Sequence, residues 1–381
     1  MGHISEAQSL DILKNLIAIE SVNDKEKTVA TYLQELLAQY DIKSEIKTIR
    51  GDRANLIAEI GHGKPVLGVS GHMDVVDPGN IKDWHSNPFE MTEVAGQLFG
   101  RGITDMKSGL AALVITMINL QQQGLPQKGT IRLMATMGEE VGEEGSSYLL
   151  KDGAMEDVDG LVIAEPSGYN IGYAEKGSMD IKFISKGKAS HSSMPESGYN
   201  AIDALMNFLI DTNLVFRDER IGHASMGPLI FNTTLIKGGT QVNSIPDYAE
   251  AEANARTIPE YTNQQIIDEL YKLIRRHNKQ GAEIGMDIYM NEEPVSMSKD
   301  NDLVTLMKKL MASYTDAEIV VSPISPVTDA SNLVKGKHFD FPFIIAGPGN
   351  DTPHQINESL DKKMFFNFID IYEKLFIEFL K

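Results

Sequence analysis

Four short runs constrain this chain more than anything else in it: "NLIAEIG", "PVLGVSG", "TIRLMATM" and "GLVIAE" are mostly apolar and too brief for helices that bury one face. A strand covered on both sides reads as a near-continuous apolar run, and "MKSGLAALVITMINLQQQG", lying between two of the four, has the length and pattern of a helix. Strands alternating with helix predict a sheet flanked by helices, so the first half reads as α/β. Two amphipathic helices precede it, around 5–20 and 25–40, where "LDILKNLIAI" and "VATYLQELLAQY" return apolar residues every three or four positions.

From about residue 178 the texture changes. "MDIKFISKG" reads as a strand, "GYNAIDALMNFLIDTNLV" as a helix, "LIFNTTLIKGG" and "DYAEAEANAR" as two strands, "YTNQQIIDELYKLIRRHN" as a helix and "AEIGMDIYM" as a strand. That order, β-α-β-β-α-β, is the order of a ferredoxin-like sandwich able to stand as its own domain. After about 290 the chain returns to helix, a strand in "FPFIIAG" and a closing helix in "MFFNFIDIYEKLFIEFL". The expectation is an insertion: residues 1–177 and 290–381 form one domain around a smaller one at 178–289. A length of 381 residues, more than one core usually holds, fits two domains.

Charge and cysteine content exclude several functions. The formal net charge of -19 repels phosphate backbones and anionic membrane surfaces, so neither nucleic acid nor membrane is an expected partner. With no cysteine, there is no disulfide and no thiolate metal site, and any metal falls to His, Asp and Glu. The opening "MGHISEAQSLDILKNLIAIE" lacks a basic segment leading into an apolar core and a small-residue cleavage site. No run approaches the ~20 apolar residues of a membrane helix. The expected setting is the cytoplasm.

Residues able to do chemistry cluster at the ends of the predicted strands. "VLGVSGHMDVVDPG" closes an apolar run with His72 and Asp74, which alternation places on the same side of a strand. Asp105 in "LFGRGITDMKSGLAAL" precedes a helical run, where it is either an N-cap or a ligand at the carboxyl end of a sheet. "LMATMGEEVGEEG" sets Glu139 beside Glu140. Adjacent side chains point apart, so one carboxylate can bind a metal while its neighbour addresses the water that metal polarises. The plainer alternative for that run is a solvated acidic helix start, and Glu143 and Glu144 suit the N-terminal dipole of the following helix. Glu165 ends the run in "GLVIAEPSG", and His354 lies in a loop broken by glycine and proline, "FIIAGPGNDTPHQINE". Two histidines and three carboxylates, His72, Asp105, Glu140, Glu165 and His354, suit a pair of borderline divalent ions such as zinc, with cobalt or manganese also fitting.

Taken in order, "GHMDVVDPG", "W..NPF", "LFGRGITDMKSG", "MGEEVGEEG", "AEPSG", "KGKASHSSMPESGYNAI", "GGTQVNSIPD", "ART.P" and "GPGNDTPHQINE" resemble the motifs of the dinuclear-zinc metallopeptidase family. That family includes acetylornithine deacetylase, succinyl-diaminopimelate desuccinylase, aminoacylases and glutamate carboxypeptidases. The resemblance implies a zinc-peptidase-like mixed sheet flanked by helices and an inserted ferredoxin-like domain that pairs two subunits. It implies two divalent ions per chain, one held by His72 and Glu165, the other by Glu140 and His354, with Asp105 bridging. Glu139 would be the general base, Asp74 would orient His72, and His191 would reach a neighbouring subunit's site to polarise the scissile carbonyl. Asn243 and Arg256 match positions that hold the substrate's carboxylate end, and Lys176 and Ser178 align with a more variable part of the pocket. Lysine at 176 stands where the desuccinylase pattern prefers arginine.

The implied reaction is metal-dependent hydrolysis of an N-acyl amide, with Glu139 taking a proton from water and returning it to the leaving amine. The blocks "AEPSGYNIGYAEKGS" and "HSSMPESGYNAI" look most like the branch that acts on N-acetyl or N-succinyl diamino acids such as N-acetylornithine or N-succinyl-diaminopimelate. A dipeptidase, carboxypeptidase or general aminoacylase with the same metals is the alternative, and a non-catalytic metal- or partner-binding protein a distant one. His3, His62, His223, His277 and His338 fall outside the motifs and read as surface or core residues. Trp84 and His85 read as structural.

Overall fold

The computed structural model describes residues 3–217 and 222–381. Within it the chain divides into two compact units, one of residues 1–174, 297–322 and 328–381, the other of 175–296 and 323–327.

The apolar runs of the first unit form the middle of a mixed sheet. Its strands stand side by side in the order Ser44–Arg50, Arg53–His62, Gly129–Thr136, Val66–His72, Gly160–Pro166, Phe343–Gly347 and Ile171–Glu175. Val66–His72 runs parallel to both its neighbours, and Phe343–Gly347 runs parallel to Gly160–Pro166. Four parallel strands therefore present their carboxyl ends at one edge of the sheet, where loops can gather ligands. Of these seven strands, two went unread in the sequence, Ser44–Arg50 and Ile171–Glu175. The first lies at the sheet's edge with no fully buried residue, so its composition carries little apolar signal.

Helix Lys107–Gln122 covers the middle of this sheet and is buried on nearly every side. Gly109 shows how closely it lies: a Cβ there would sit 2.1 Å from the backbone oxygen of Ala164 in the neighbouring strand. The closing helix Lys362–Phe379 packs against it, with Thr116 Oγ1 donating to the Ile369 carbonyl at 3.2 Å and Asn119 Nδ2 to Glu373 Oε1 at 2.6 Å. Helix Glu6–Ala18 begins in a capping box in which Ser5 and Gln8 satisfy each other's backbone amides, and Glu26–Ala38 follows it.

In the second unit the four long strands Gly177–Lys186, Ile230–Gly238, Tyr248–Thr257 and Glu283–Glu292 form one antiparallel sheet. Counted along the chain as first to fourth, they stand in the order second, third, first, fourth, the ferredoxin-like arrangement. Period-two alternation is visible in "YAEAEANART", where Ala249, Ala251, Ala253 and Ala255 are buried under the helices while Glu250, Glu252 and Asn254 are not. Helix Ala201–Phe216 is capped by Asn200, which accepts the amides of Ile202 and Asp203, and it sets Phe208 edge-on against Phe183 with ring centroids 5.0 Å apart. Helix Asn263–Lys279 turns Ile266, Leu270, Leu273, Ile274 and His277 inward at helical spacing. No helix among the described residues is long and apolar enough to cross a membrane.

Candidate metal centre

At the carboxyl edge of the first unit's sheet, six side chains from five segments converge. His72 is the last residue of its strand and fully buried, and Glu165 is the penultimate residue of the next. Asp105 lies two residues before helix Lys107–Gln122, whose N-cap position falls on Met106 without a side-chain cap. Asp105 is thus free of the capping role, and its two oxygens face one imidazole each: Oδ1 lies 3.0 Å from His72 Nε2 and Oδ2 lies 3.3 Å from His354 Nε2. Glu140 closes on the same His354 nitrogen at 3.0 Å, while Glu165 and Glu139 approach His72 Nε2 at 3.6 and 3.9 Å.

Glycine explains how adjacent glutamates are held there. Glu139–Val141 forms a single 3₁₀ turn bracketed by Gly138 at φ 71° and Gly142 at φ 105°, backbone states that L side chains resist. A Cβ on Gly138 would also meet Arg53 Nη2 at 2.1 Å. The next helix, Glu144–Lys151, starts at Glu144, which sits in its first turn. Glu143 does not act as an exposed partner of the helix dipole. It is fully buried and its carboxylate receives a hydrogen bond from Ser331 Oγ. His354 adopts a φ of 62°, a left-handed state uncommon for a residue with a Cβ and often found where a site holds a side chain in place.

Asp74 stands beside His72 in an unforeseen way. Its backbone carbonyl, not its carboxylate, meets His72 Nδ1 at 2.9 Å, while the nearer carboxylate oxygen is 3.8 Å away. The strand ends at His72, so side-chain alternation no longer governs Asp74, and its carboxylate turns to the glutamate turn instead. There it accepts the amides of Gly138 at 2.9 Å, Glu139 at 3.3 Å and Glu140 at 3.1 Å. The carbonyl contact still fixes the ring, leaving Nε2 aimed at the carboxylates.

The cluster is short of positive charge. Asp105, Glu139, Glu140 and Glu165 crowd around His72 and His354. Burial, reinforced by neighbouring carboxylates, lifts Glu139 and Glu165 well above the ordinary carboxylate range and raises Glu140 as well. Hydrogen bonds to Asp105 and Glu140 push His354 up to about 10. At His72, burial disfavours the charged ring but is outweighed by Glu165, Asp105, Glu139 and Asp74. Burial works against ionised Asp105 too, yet both imidazoles hold it below its usual value. Ligand atoms of His72, Asp105 and Glu140 lie within 4.8 Å of one another, as do those of His72, Glu139 and Glu165. A donor set of imidazole nitrogens and carboxylate oxygens, with excess negative charge, fits divalent cations.

The second unit carries the remaining residues singled out in the sequence. His191 and Ser190 pair with Ser244 and Ile245, and Ser192 donates its amide to the Asn243 carbonyl at 3.0 Å, so exposed His191 and Asn243 share one small ribbon. The amide of Ser193 donates to His191 Nδ1 at 3.2 Å, which leaves Nε2 as the protonated nitrogen of the neutral ring. Arg256 lies across the sheet from Ser178, which is fully buried. Lys176 is buried with its Nζ donating to the Pro228 carbonyl at 2.7 Å, and burial pushes its pKa down.

Several supporting groups escaped the sequence reading. Glu358 and Arg101 form a buried ion pair at 2.7 Å beneath Asp105. Buried Lys107, pushed down to about 7 by its burial, donates to the carbonyls of Leu16 and Ile19 at 2.9 and 2.7 Å. Buried Asp329, pushed up to about 6 by desolvation, accepts from Thr136 Oγ1. A charged residue inside an otherwise apolar run would have signalled burial, but only Lys107, at the head of "KSGLAALVI", offers even that cue. Of the histidines outside the motifs, His277 bonds Asp211 at 2.7 Å. Trp84 donates its indole N–H to the Pro78 carbonyl at 2.8 Å and lies against Arg101.

Known proteins share this architecture. A model of peptidase family M20/M25/M40 matches residues 68–378. A protein of Staphylococcus aureus strain N315, named probable succinyl-diaminopimelate desuccinylase, is 41% identical with both chains covered in full. An M20 family metallo-carboxypeptidase from Sulfolobus solfataricus superposes with a TM-score of 0.82 at 19% identity, covering 97% of this chain and 98% of that one. Aminopeptidase PepT from Bacillus cereus superposes with a TM-score of 0.80 at 20% identity over the whole of both chains. The structural likenesses establish the fold, a mixed α/β sheet flanked by helices as read from the sequence, while the family match and the full-length relative establish descent. The chain belongs to peptidase family M20/M25/M40 and is a metal-dependent hydrolase.

Proposed function

We propose that this chain hydrolyses the amide bond of an N-acyl amino acid. The substrate class is an N-acetyl or N-succinyl diamino acid such as N-succinyl-diaminopimelate or N-acetylornithine. The full-length relative named as a probable desuccinylase supports the acyl amino acid. The observation that carries the chemistry is Asp105, which offers one oxygen to the His72 side of the cluster and the other to the His354 side. A carboxylate so placed could be shared by two cations. His72 and Glu165 would hold one ion and Glu140 and His354 the other, with zinc the best match to the donors and cobalt or manganese compatible.

Bound there, the cations would polarise the scissile carbonyl and make water acidic enough to react near neutral pH. The protein's own groups supply the rest. Glu139, 3.9 Å from His72 Nε2 and next in chain to Glu140, takes a proton from water and returns it to the leaving amine. Asp74, by gathering three amides of the 138–140 turn, keeps the base and its ligand neighbour in register. His191 presents Nε2–H as a donor to the developing oxyanion, reaching the site of a neighbouring subunit in a homodimer paired through residues 178–289, with 1–177 and 290–381 as the catalytic part. Arg256 and Asn243 hold the carboxylate end of the substrate, for which a guanidinium fork is apt. Ser178 and Lys176 line the pocket nearby, and the enzyme works in the cytoplasm.

The test is release of free amine from a panel of N-acetyl and N-succinyl diamino acids, N-acyl monoamino acids and dipeptides, with zinc-loaded protein and a chelator control. Chelator-sensitive cleavage of one N-acyl class is the expected result. Faster hydrolysis of plain dipeptides than of every N-acyl amino acid would overturn the substrate class. No cleavage at all by protein carrying two ions per chain would overturn the deacylase assignment.

A further inference from the structure

We infer that Glu358 is a positioning residue that sets the spacing between Asp105 and His354. The inference rests on the two-cation reading above. Glu358 lies four residues beyond His354 on the same loop, and its side chain is fully buried. Both carboxylate oxygens are used twice. Oε2 accepts from Arg101 Nη1 at 2.7 Å and the Gly102 amide at 2.9 Å, and Oε1 accepts from the amides of Thr104 at 2.7 Å and Asp105 at 2.9 Å. One acid on the His354 loop thus gathers the backbone of the segment that ends in Asp105, more than 250 residues away in the chain.

Two further contacts tie the same segments. Thr104 Oγ1 donates to the Ser359 carbonyl at 2.6 Å, and Arg101 Nη2 lies 3.4 Å from the His354 carbonyl. The helix that follows starts two residues later without a side-chain cap, so Glu358 rather than a cap residue holds the amides of Thr104 and Asp105. An ionised carboxylate accepting several amides is a strong and directional anchor. Its place sets where Asp105 meets His354, at 3.3 Å, and so the geometry of the carboxylate that two ions would share.

Glutamine is a demanding probe here. Its amide has one acceptor oxygen, so its NH₂ must face either the Arg101 and Gly102 donors or the Thr104 and Asp105 donors, and at least two of four bonds are lost. The comparison variant is Leu375→Ala, a fully buried position in the closing helix, with the assay temperature set so that the two variants lie equally far below their melting points. Hydrogen exchange is read by mass spectrometry on a peptide spanning residues 101–106 of chelator-treated protein, and cobalt is then titrated with its visible absorption followed.

In Glu358→Gln the amides of this peptide should exchange at least tenfold faster than in wild type, and the second cobalt ion should bind at least tenfold more weakly with altered absorption. Leu375→Ala should show neither change. Wild-type exchange and cobalt affinity in Glu358→Gln, or equal effects in Leu375→Ala, would overturn the inference. Should the wild type take up only one ion, the two-cation reading falls. The exchange measurement then decides Glu358 alone: unchanged rates overturn its anchoring role and faster rates sustain it.

Discussion

Gly109→Ala sets two effects of opposite sign against each other, and the structure decides between them. Gly109 lies in the first turn of helix Lys107–Gln122, where alanine is favoured over glycine by about 0.8–1.0 kcal/mol in a helix interior. The new methyl would stand 2.1 Å from the Ala164 backbone oxygen and 3.1 Å from its Cβ. The first contact is more than an ångström inside ordinary separation, and the obstructing atom is backbone of a central strand that is paired on both sides at the preceding residue, Ile163, rather than the end of a flexible side chain. The helix must lift instead, an overpacking change that typically costs about 1–3 kcal/mol. At this degree of overlap the upper half of that range applies, giving a net loss of roughly 1–2 kcal/mol after the propensity gain. The same lift would carry Asp105, four residues upstream, away from Glu165, the neighbour of Ala164. Calorimetry should therefore show a lower melting temperature for chelated Gly109→Ala, and titration should show weaker binding of zinc. A variant that melts at or above the wild-type temperature would refute the reasoning, because propensity would then have outweighed the contact.

Other perturbations test other parts of the molecule. Glu139→Ala should keep its metal content, measured by elemental analysis, while the turnover rate falls by about 10²–10⁴, the usual contribution of a general base. Arg256→Ala should lower kcat/KM for an N-acyl amino acid by roughly 10- to 100-fold, matching about 1.5–3 kcal/mol for a hydrogen bond to a charged group, and lower it far less for a substrate amide lacking the carboxylate. Removing metal with a chelator should lower the melting temperature by an amount that recovers with added zinc, since at about 100 times its Kd a ligand stabilises the folded state by about 2.7 kcal/mol. Asp211→Asn should flatten the acid limb of the stability curve of the second unit. Burial opposes the charged form of Asp211, but His277 and Arg276 hold its pKa below the ordinary value. Its stabilising effect is then complete above about pH 4 and fades as pH falls toward the folded value, a dependence the asparagine lacks.

The parts of this molecule that could be read in advance are those where one physical cause dominates a stretch of sequence. Apolar runs of seven or eight residues had to be strands buried on two faces, and the alanine alternation in "YAEAEANART" had to be a strand with one face under helices. Edge strand Ser44–Arg50 had no such single cause, since neither face is buried and its residues suit a loop equally well. The site divides along the same line. His72 and Glu165 stand where apolar strands stop, so polarity against an apolar background marks them. Glu358 and Glu143 lie in stretches already rich in polar residues, and no composition distinguishes a carboxylate about to be buried under four donors from one left in water. Asp74 makes the point most sharply. Alternation rightly drew attention to the pair His72 and Asp74, yet the strand ends between them, and the carboxylate is taken by three amides from a turn more than sixty residues on. What a side chain does once the regular element stops depends on which distant backbone donors lack partners. That is a property of the assembled sheet edge rather than of any local sequence, and it is why the shell around the candidate metal ligands appears only in the folded chain.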